Sequence, residues 1–65
     1  MNNLAEIMRR VNITPVQLSE QSGVASNTIR RIMQDRNVIP YNDTSIKLSK
    51  VLGYTVAQIR GFQSI

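Results

Sequence analysis

Hydrophobic residues recur along this chain with the period of an α-helix. Leu4, Ile7, Met8 and Val11 follow one another at spacings of three, one and three residues, which places them on a single helical face. The spacing predicts a first helix over residues 3–11 with one buried stripe. No stretch alternates between apolar and polar residues for long enough to predict a β-strand.

A second helix is predicted over residues 15–22. Thr14 is a favoured N-cap, and Pro15 suits the first helical position because the amide that proline lacks would have no partner there. Leu18 is the inward residue of this helix, whose other positions are mostly polar. Gly23 predicts its end, because glycine adopts the left-handed backbone conformation of a helix C-terminus at no steric cost.

A third helix is predicted over residues 26–34, after the apolar Val24. Its inward side consists of Ile29, Ile32 and Met33. Met33, like Met8 in the first helix, is interpreted as core filler rather than as a ligand surface. Two helices that meet through a short turn with a glycine are the frame by which many small proteins place one helix in the DNA major groove.

The second half of the chain predicts two more helices after a loop over residues 35–41. The fourth helix ends at Leu52 and has three competing N-cap candidates, Asn42, Asp43 and Thr44. Thr55 is predicted to cap a short fifth helix that holds Val56, Ile59 and, as a further candidate, Phe62. Tyr41 and Tyr54 are interpreted as packing over helix ends.

These elements predict an all-α fold, a compact five-helix bundle in one domain over residues 1–65. A chain of 65 residues buries only about 60% of the surface that its unfolded form exposes, so dimerisation would help to stabilise it. Phe62 and Ile65 are candidate dimer contacts for this reason, with simple core packing as the alternative.

The composition argues against catalysis and against cofactors. The chain has no cysteine and no histidine, so it lacks the commonest metal ligands and the usual general base. Its acidic residues are scattered along the chain at Glu6, Glu20, Asp35 and Asp43. We therefore expect no enzyme activity, no metal, no cofactor and no small-molecule ligand.

The charge and the hydropathy of the chain indicate where it acts and what it binds. Eight Lys and Arg residues against four acidic ones give a net charge of +4, which favours a polyanionic partner. No apolar run approaches the roughly 20 residues that span a bilayer, and the N-terminus does not resemble a signal peptide. We expect a soluble cytoplasmic protein without a membrane partner.

The outward face of the third helix carries residues suited to reading DNA bases. Arginine can donate two hydrogen bonds to guanine, and asparagine can exchange two with adenine. A solvated polar face is the ordinary explanation for such residues. Here the face lacks any acidic residue to balance its arginines, and the preceding helix and turn can present it to DNA. The base-reading candidates are Ser26, Asn27, Arg30 and Arg31.

Phosphate contacts are predicted at both flanks of this face. The first amides of the second helix form a partly positive helix end, to which Thr14 and Gln17 could add neutral hydrogen bonds. Arg36 and Asn37 follow the third helix and are placed to bind the flanking backbone. Longer-range attraction is expected from four further cations, Arg9, Arg10, Lys47 and Lys50. Asp43 argues against a tight phosphate contact at the start of the fourth helix.

The chain resembles the helix-turn-helix family of phage repressors and Cro proteins, also called the Xre family. The family pattern is matched at Thr14, Leu18-Ser19, Gly23-Val24, Thr28-Ile29 and Arg31-Ile32. Its later half, a helix that ends in Leu-Gly before a short helix, is matched by KLSKVLGYTVAQI over residues 47–59.

The resemblance implies a five-helix bundle whose third helix reads bases, and a homodimer on a near-palindromic operator. It carries base reading to Ser26, Asn27 and Arg31, and phosphate contacts to the start of the second helix and to Arg36. It also implies a prokaryotic or phage-encoded protein that is nucleoid-associated when bound.

The chain departs from the family pattern at three positions. Pro15 replaces a glutamine, Ala25 replaces the usual cap of the third helix, and Met33 replaces an acidic residue. If Ser26 provides the missing cap, its base-reading role is in doubt.

We therefore hypothesise a sequence-specific DNA-binding transcription regulator, a repressor that blocks polymerase at its operator. Two alternatives stay open. One is an antitoxin or a restriction-system controller of the same fold, and the other is a protein-interaction module that does not bind DNA.

Overall fold

Five helices and no strand make up the computed structural model, which describes all 65 residues. The all-α class is therefore confirmed. The helices are α1 (Leu4–Val11), α2 (Pro15–Ser22), α3 (Ser26–Gln34), α4 (Asn42–Leu52) and α5 (Val56–Arg60). The bounds of α2 and α3 coincide with the predicted ranges.

The predicted inward residues form one core, which all five helices share. Leu4 and Ile7 of α1, Leu18 of α2, Leu48 of α4 and Ile59 of α5 are completely buried. α1 packs on α3, α4 and α5, while α2 packs on α3 and α4. The core therefore holds α2 and α3 from one side and leaves their other sides to solvent.

The apolar stripe of α1 extends one residue beyond the packed part of that helix. Val11 was expected inside, but it is exposed. It is the last residue of α1, and the chain leaves the helix at once through Asn12, which adopts a left-handed backbone conformation with φ of 62°. The helical spacing therefore does not predict the burial of Val11, because the helix ends at this residue.

None of the three candidate caps of α4 is its N-cap. The helix begins at Asn42, and its N-cap is Tyr41, whose side chain makes no capping hydrogen bond. The carbonyl of Tyr41 accepts from the Ser45 amide at 2.9 Å, which closes the first turn one residue earlier than expected. Asp43 instead lies inside the first turn, where its negative charge interacts favourably with the positive end of the helix dipole.

The two tyrosines differ from each other in their environment. Tyr54 is half-buried and packs against the core. Tyr41 was expected to pack over a helix end, but it is 85% exposed. It is the N-cap of α4 and so precedes the first turn of that helix.

The N-terminal segment is fastened to the end of α3 by Asn2, a residue that the hydrophobic pattern does not single out. Asn2 is 1% exposed, and its Nδ2 donates to the carbonyl oxygens of Ile32 (3.0 Å), Asp35 (3.2 Å) and Val38 (2.7 Å). Its Oδ1 accepts from the Leu4 amide at 3.2 Å. Asn2 therefore connects the N-terminal segment and the first residue of α1 to the last turn of α3.

Candidate nucleic-acid interface

A tight turn connects α2 to α3 and fixes how α3 is presented. Gly23 has φ of 78°, and its amide donates to the Ser19 carbonyl at 2.9 Å. The Ser22 hydroxyl donates to the Leu18 carbonyl at 2.6 Å and accepts from the Val24 amide at 3.2 Å. Since Leu18 and Val24 are both buried, the turn is anchored to the core on both sides.

The start of α2 is closed by a capping box. The Thr14 amide donates to Gln17 Oε1 at 3.0 Å, and the Gln17 amide donates to Thr14 Oγ1 at 3.1 Å. Pro15 has no amide hydrogen, so Val16 supplies the one backbone N–H of this turn that has no acceptor in the protein. The predicted phosphate contacts at Thr14 and Gln17 thus lie together, with the Thr14 hydroxyl hydrogen and Gln17 Nε2 still available.

The start of α3 is open, in contrast to that of α2. Ala25 is the N-cap and cannot form a side-chain cap, and Ser26 does not provide one in its place. The amides of Ser26, Asn27 and Thr28 consequently have no acceptor within the protein. No acidic residue lies in this turn, so the positive end of the helix dipole is uncompensated.

The outward face of α3 carries cations without partners. Asn27, Arg30 and Arg31 are exposed, and Ser26 is half-buried beside them. The ion pairs of the protein join Glu6 to Arg9 and to Arg10, so Arg30 and Arg31 have no carboxylate partner. The four predicted base-reading residues therefore share one surface.

Arg31 also lines a groove between α3 and the loop that follows it. The groove has a volume of about 180 Å³ and is walled on one side by Thr28, Arg31 and Ile32. Residues of the loop and of α4 form the other wall: Val38, Ile39, Pro40, Tyr41 and Thr44. Thr28 and Tyr41 were not among the predicted site residues. The exposed position of Thr28, one turn before Arg31, follows from helical spacing and could have been predicted.

Arg36 and Asn37 follow α3 but are not equivalent. Arg36 Nε donates to the Asn2 carbonyl at 3.3 Å, and the Arg36 side chain lines a second groove, beside α1. The Asn37 amide donates to Asp35 Oδ1 at 3.0 Å, while its exposed side chain makes no hydrogen bond within the protein. Both residues were predicted to contact the DNA backbone. Arg36 is hydrogen-bonded to the N-terminal segment, whereas the side chain of Asn37 is free in solvent.

The C-terminal segment leaves an aromatic ring in solvent. Phe62 is 65% exposed and lies beyond α5, with the Arg60 guanidinium 5.1 Å from the centre of its ring. Ile65 is half-buried and packs against the core. Of the two candidate dimer contacts, Phe62 is thus the more accessible.

No family model, no curated protein and no solved structure matches the chain. None of its helices has the length and apolar character that crossing a membrane requires.

Proposed function

We propose that this protein is a sequence-specific DNA-binding transcription regulator in which α3 enters the major groove. The observation that carries the proposal is the outward face of α3, where Arg30 and Arg31 are exposed without any carboxylate partner. A protein helix can read base edges in the major groove only if such a face is free and firmly held. The anchored turn at Gly23 supports that requirement.

Each residue of this face has a role in the proposal. Asn27 lies in the first turn of α3, the part of a recognition helix that contacts base edges, and its amide suits adenine. Arg31 lies one turn further on and suits guanine O6 and N7. Arg30 reaches either a base or a phosphate. Ser26 is free to contact a base, because its side chain does not cap the helix.

The flanking residues would hold the DNA backbone. The free amide of Val16, the Thr14 hydroxyl and Gln17 Nε2 together offer neutral donors at the start of α2, where a phosphate is also favoured by the helix dipole. Such contacts position the protein on the duplex without reading its sequence. Asn37 would contribute in the same way after α3.

The proposed mode of regulation is steric. A homodimer would occupy a near-palindromic operator and block polymerase, with the exposed Phe62 in the contact between the two copies. The same ring would suit contact with a different protein, as in an antitoxin or a restriction-system controller. Either role places the protein in the cytoplasm, on the nucleoid when bound.

Selection of bound duplexes from a random pool tests the proposal. We expect a two-fold-symmetric consensus with half-sites separated by about one helical turn, roughly 10–10.5 base pairs. Affinity should fall steeply with salt, with a log–log slope of about −0.9 for each phosphate neutralised. Absence of binding to any duplex at low salt would refute the proposal and favour a protein-interaction module.

A further inference from the structure

A second groove lies on the α1 side of the molecule and is lined by polar residues. It has a volume of about 290 Å³, and no residue of α2 or α3 lines it. Three arginines line it from two distant parts of the sequence, Arg9 and Arg10 in the last turn of α1 and Arg36 in the loop after α3. Glu6 is the one acidic side chain among its lining residues, so the ionisable side chains carry a net charge of +3 − 1 = +2.

The helix dipole explains only part of this arrangement. Cations in the last turn of a helix are favoured by the negative end of its dipole, which accounts for Arg9 and Arg10. It does not account for Arg36, which belongs to no helix and adds a third positive charge to the same groove. Glu6 pairs with both Arg9 and Arg10 and offsets one of the three positive charges, and an anion bound in the groove would offset the remainder.

Each arginine is held in place by a contact that leaves most of its donors free. Arg36 Nε donates to the Asn2 carbonyl, while the Asn2 amide donates to the Arg36 carbonyl at 2.7 Å. Arg10 Nη1 donates to the Ile65 main-chain oxygen at 2.9 Å. Arg9 and Arg10 both form ion pairs with Glu6. A guanidinium has five N–H donors, so several remain on each group.

From this geometry we propose that the groove between α1 and the α3–α4 loop binds a phosphate group. Guanidinium groups match the oxygens of phosphate through paired, charge-assisted hydrogen bonds, and here three arginines line one groove. The phosphate comes either from the backbone of bound DNA or from a free phosphate compound. The first source rests on the proposed function, whereas the second does not.

Two charge-removing variants and one control test the groove. Arg9→Gln and Arg36→Gln each remove one guanidinium from it. Lys50→Gln is the matched control, because Lys50 is also an exposed cation in the last turn of a helix but lies outside the groove. Arg9→Gln leaves the Asn2–Arg36 hydrogen bonds intact, so it remains informative if Arg36→Gln weakens the fold.

The first measurement uses inorganic pyrophosphate as the probe. In amide NMR titrations of the wild type and of Lys50→Gln, we expect saturable shifts at Ala5, Arg9 and Arg36. Both groove variants should weaken this binding several-fold. That result would show that a free phosphate compound can occupy the groove.

The second measurement follows binding of a 20-base-pair duplex of arbitrary sequence across a range of salt concentrations. If the groove holds a DNA phosphate, each groove variant should reduce the log–log salt slope by about 0.9 relative to Lys50→Gln. Either positive result supports the proposal and identifies the source of the phosphate.

The proposal is overturned if both measurements fail. For pyrophosphate, failure means no saturable shift, or a shift that persists unchanged in both groove variants. For DNA, it means that both groove variants have the same salt slope as Lys50→Gln. Its failure is distinct from failure of the proposed function. If the wild type binds duplexes and its salt slope is unchanged in Arg9→Gln and Arg36→Gln, only the binding of a DNA phosphate in the groove is rejected. A wild type that binds no duplex rejects the DNA-binding function and leaves the pyrophosphate result to decide the groove.

Discussion

The side-chain amide of Asn2 donates to the main-chain carbonyl of Ile32 at 3.0 Å, across thirty residues of sequence. Ile32 lies in the last turn of α3, where carbonyl groups lack partners within the helix. Asn2 also satisfies Asp35 and Val38 just beyond that turn. The end of the proposed recognition helix is therefore capped by the start of the chain as well as by its own neighbour, since the Asp35 amide donates to the Arg31 carbonyl at 3.2 Å.

Replacement of Asn2 by leucine should destabilise the protein. Leucine has the same branching but no polar atoms, so the carbonyls of Ile32 and Val38 would be left without a donor, at a cost of roughly 1–3 kcal/mol for a buried polar group left unsatisfied. Asn3→Leu is the matched control, because Asn3 Nδ2 binds the carbonyls of Gln58 and Gln63 at the more exposed end of α5. Urea unfolding should show the larger loss for Asn2→Leu, and equal losses would contradict this account.

The capping boxes of α2 and α5 allow stability to be separated from DNA binding. Thr14 and Thr55 form the same pair of hydrogen bonds, with Gln17 and Gln58 respectively. Thr14→Ala and Thr55→Ala should each lower the free energy of unfolding by about 1 kcal/mol. Only Thr14→Ala should also weaken DNA binding at a temperature where both variants are folded. A matching loss of affinity in Thr55→Ala would remove Thr14 from the interface.

Alanine variants of Gly23 and Gly61 distinguish the cost of backbone strain from the cost of a steric collision. Gly23 and Gly61 both have positive φ, 78° and 89°, but a Cβ at Gly61 would collide with the carbonyl of Met1, whereas a Cβ at Gly23 would meet open space. Gly23→Ala should cost roughly 1–2 kcal/mol, the strain of a left-handed alanine. Gly61→Ala should cost about 1–3 kcal/mol more through overpacking. Thermal unfolding of both variants checks the order, and equal losses would show that strain alone decides the cost.

Arg31→Ala should lower affinity for the selected operator by about 1–3 kcal/mol and relax preference at one base pair. The reason is the loss of paired hydrogen bonds to one base, which no neighbouring side chain replaces. Fluorescence anisotropy with operators altered one base pair at a time measures the effect. Lys47→Ala, at an exposed cation of α4, is the control for loss of charge. A loss that is equal on every sequence would identify Arg31 as a phosphate contact.

Phe62→Ala should weaken self-association, because an aromatic ring that is 65% exposed gains by burial between two copies. Analytical ultracentrifugation of the free protein and of its DNA complex measures the mass. Tyr41→Ala removes a ring that is still more exposed, at 85%, on a different part of the surface, and should leave the mass unchanged. A wild type that is monomeric both free and on DNA would exclude the dimer.

The sequence predicts the helices well because their determinants are local. The spacing of Ile29 and Ile32, the cap at Thr14 and the turn at Gly23 all act within a few residues, and the structure places each as expected. The direction of Arg36 could not be predicted in this way. It depends on Asn2, which is distant in sequence and has no place in a hydrophobic period.

The start of α4 was mispredicted for a related reason. Asn42, Asp43 and Thr44 all favour capping by their side chains, yet the helix begins with a backbone contact from Tyr41. Tyr41 is exposed and lines the same groove as Arg31. It therefore joins the candidate site, although the sequence did not predict it there.

The hydrogen bonds of Asn2 and Asn3 bridge separations of 30 to 60 residues, whereas the turn at Gly23 closes within a few. Closing a long loop costs more conformational entropy than closing a short one, so we expect these distant contacts to form after the turn during folding. The first turn of the proposed recognition helix is therefore organised by its own neighbours in sequence, whereas its last turn is completed only when the N-terminal segment arrives.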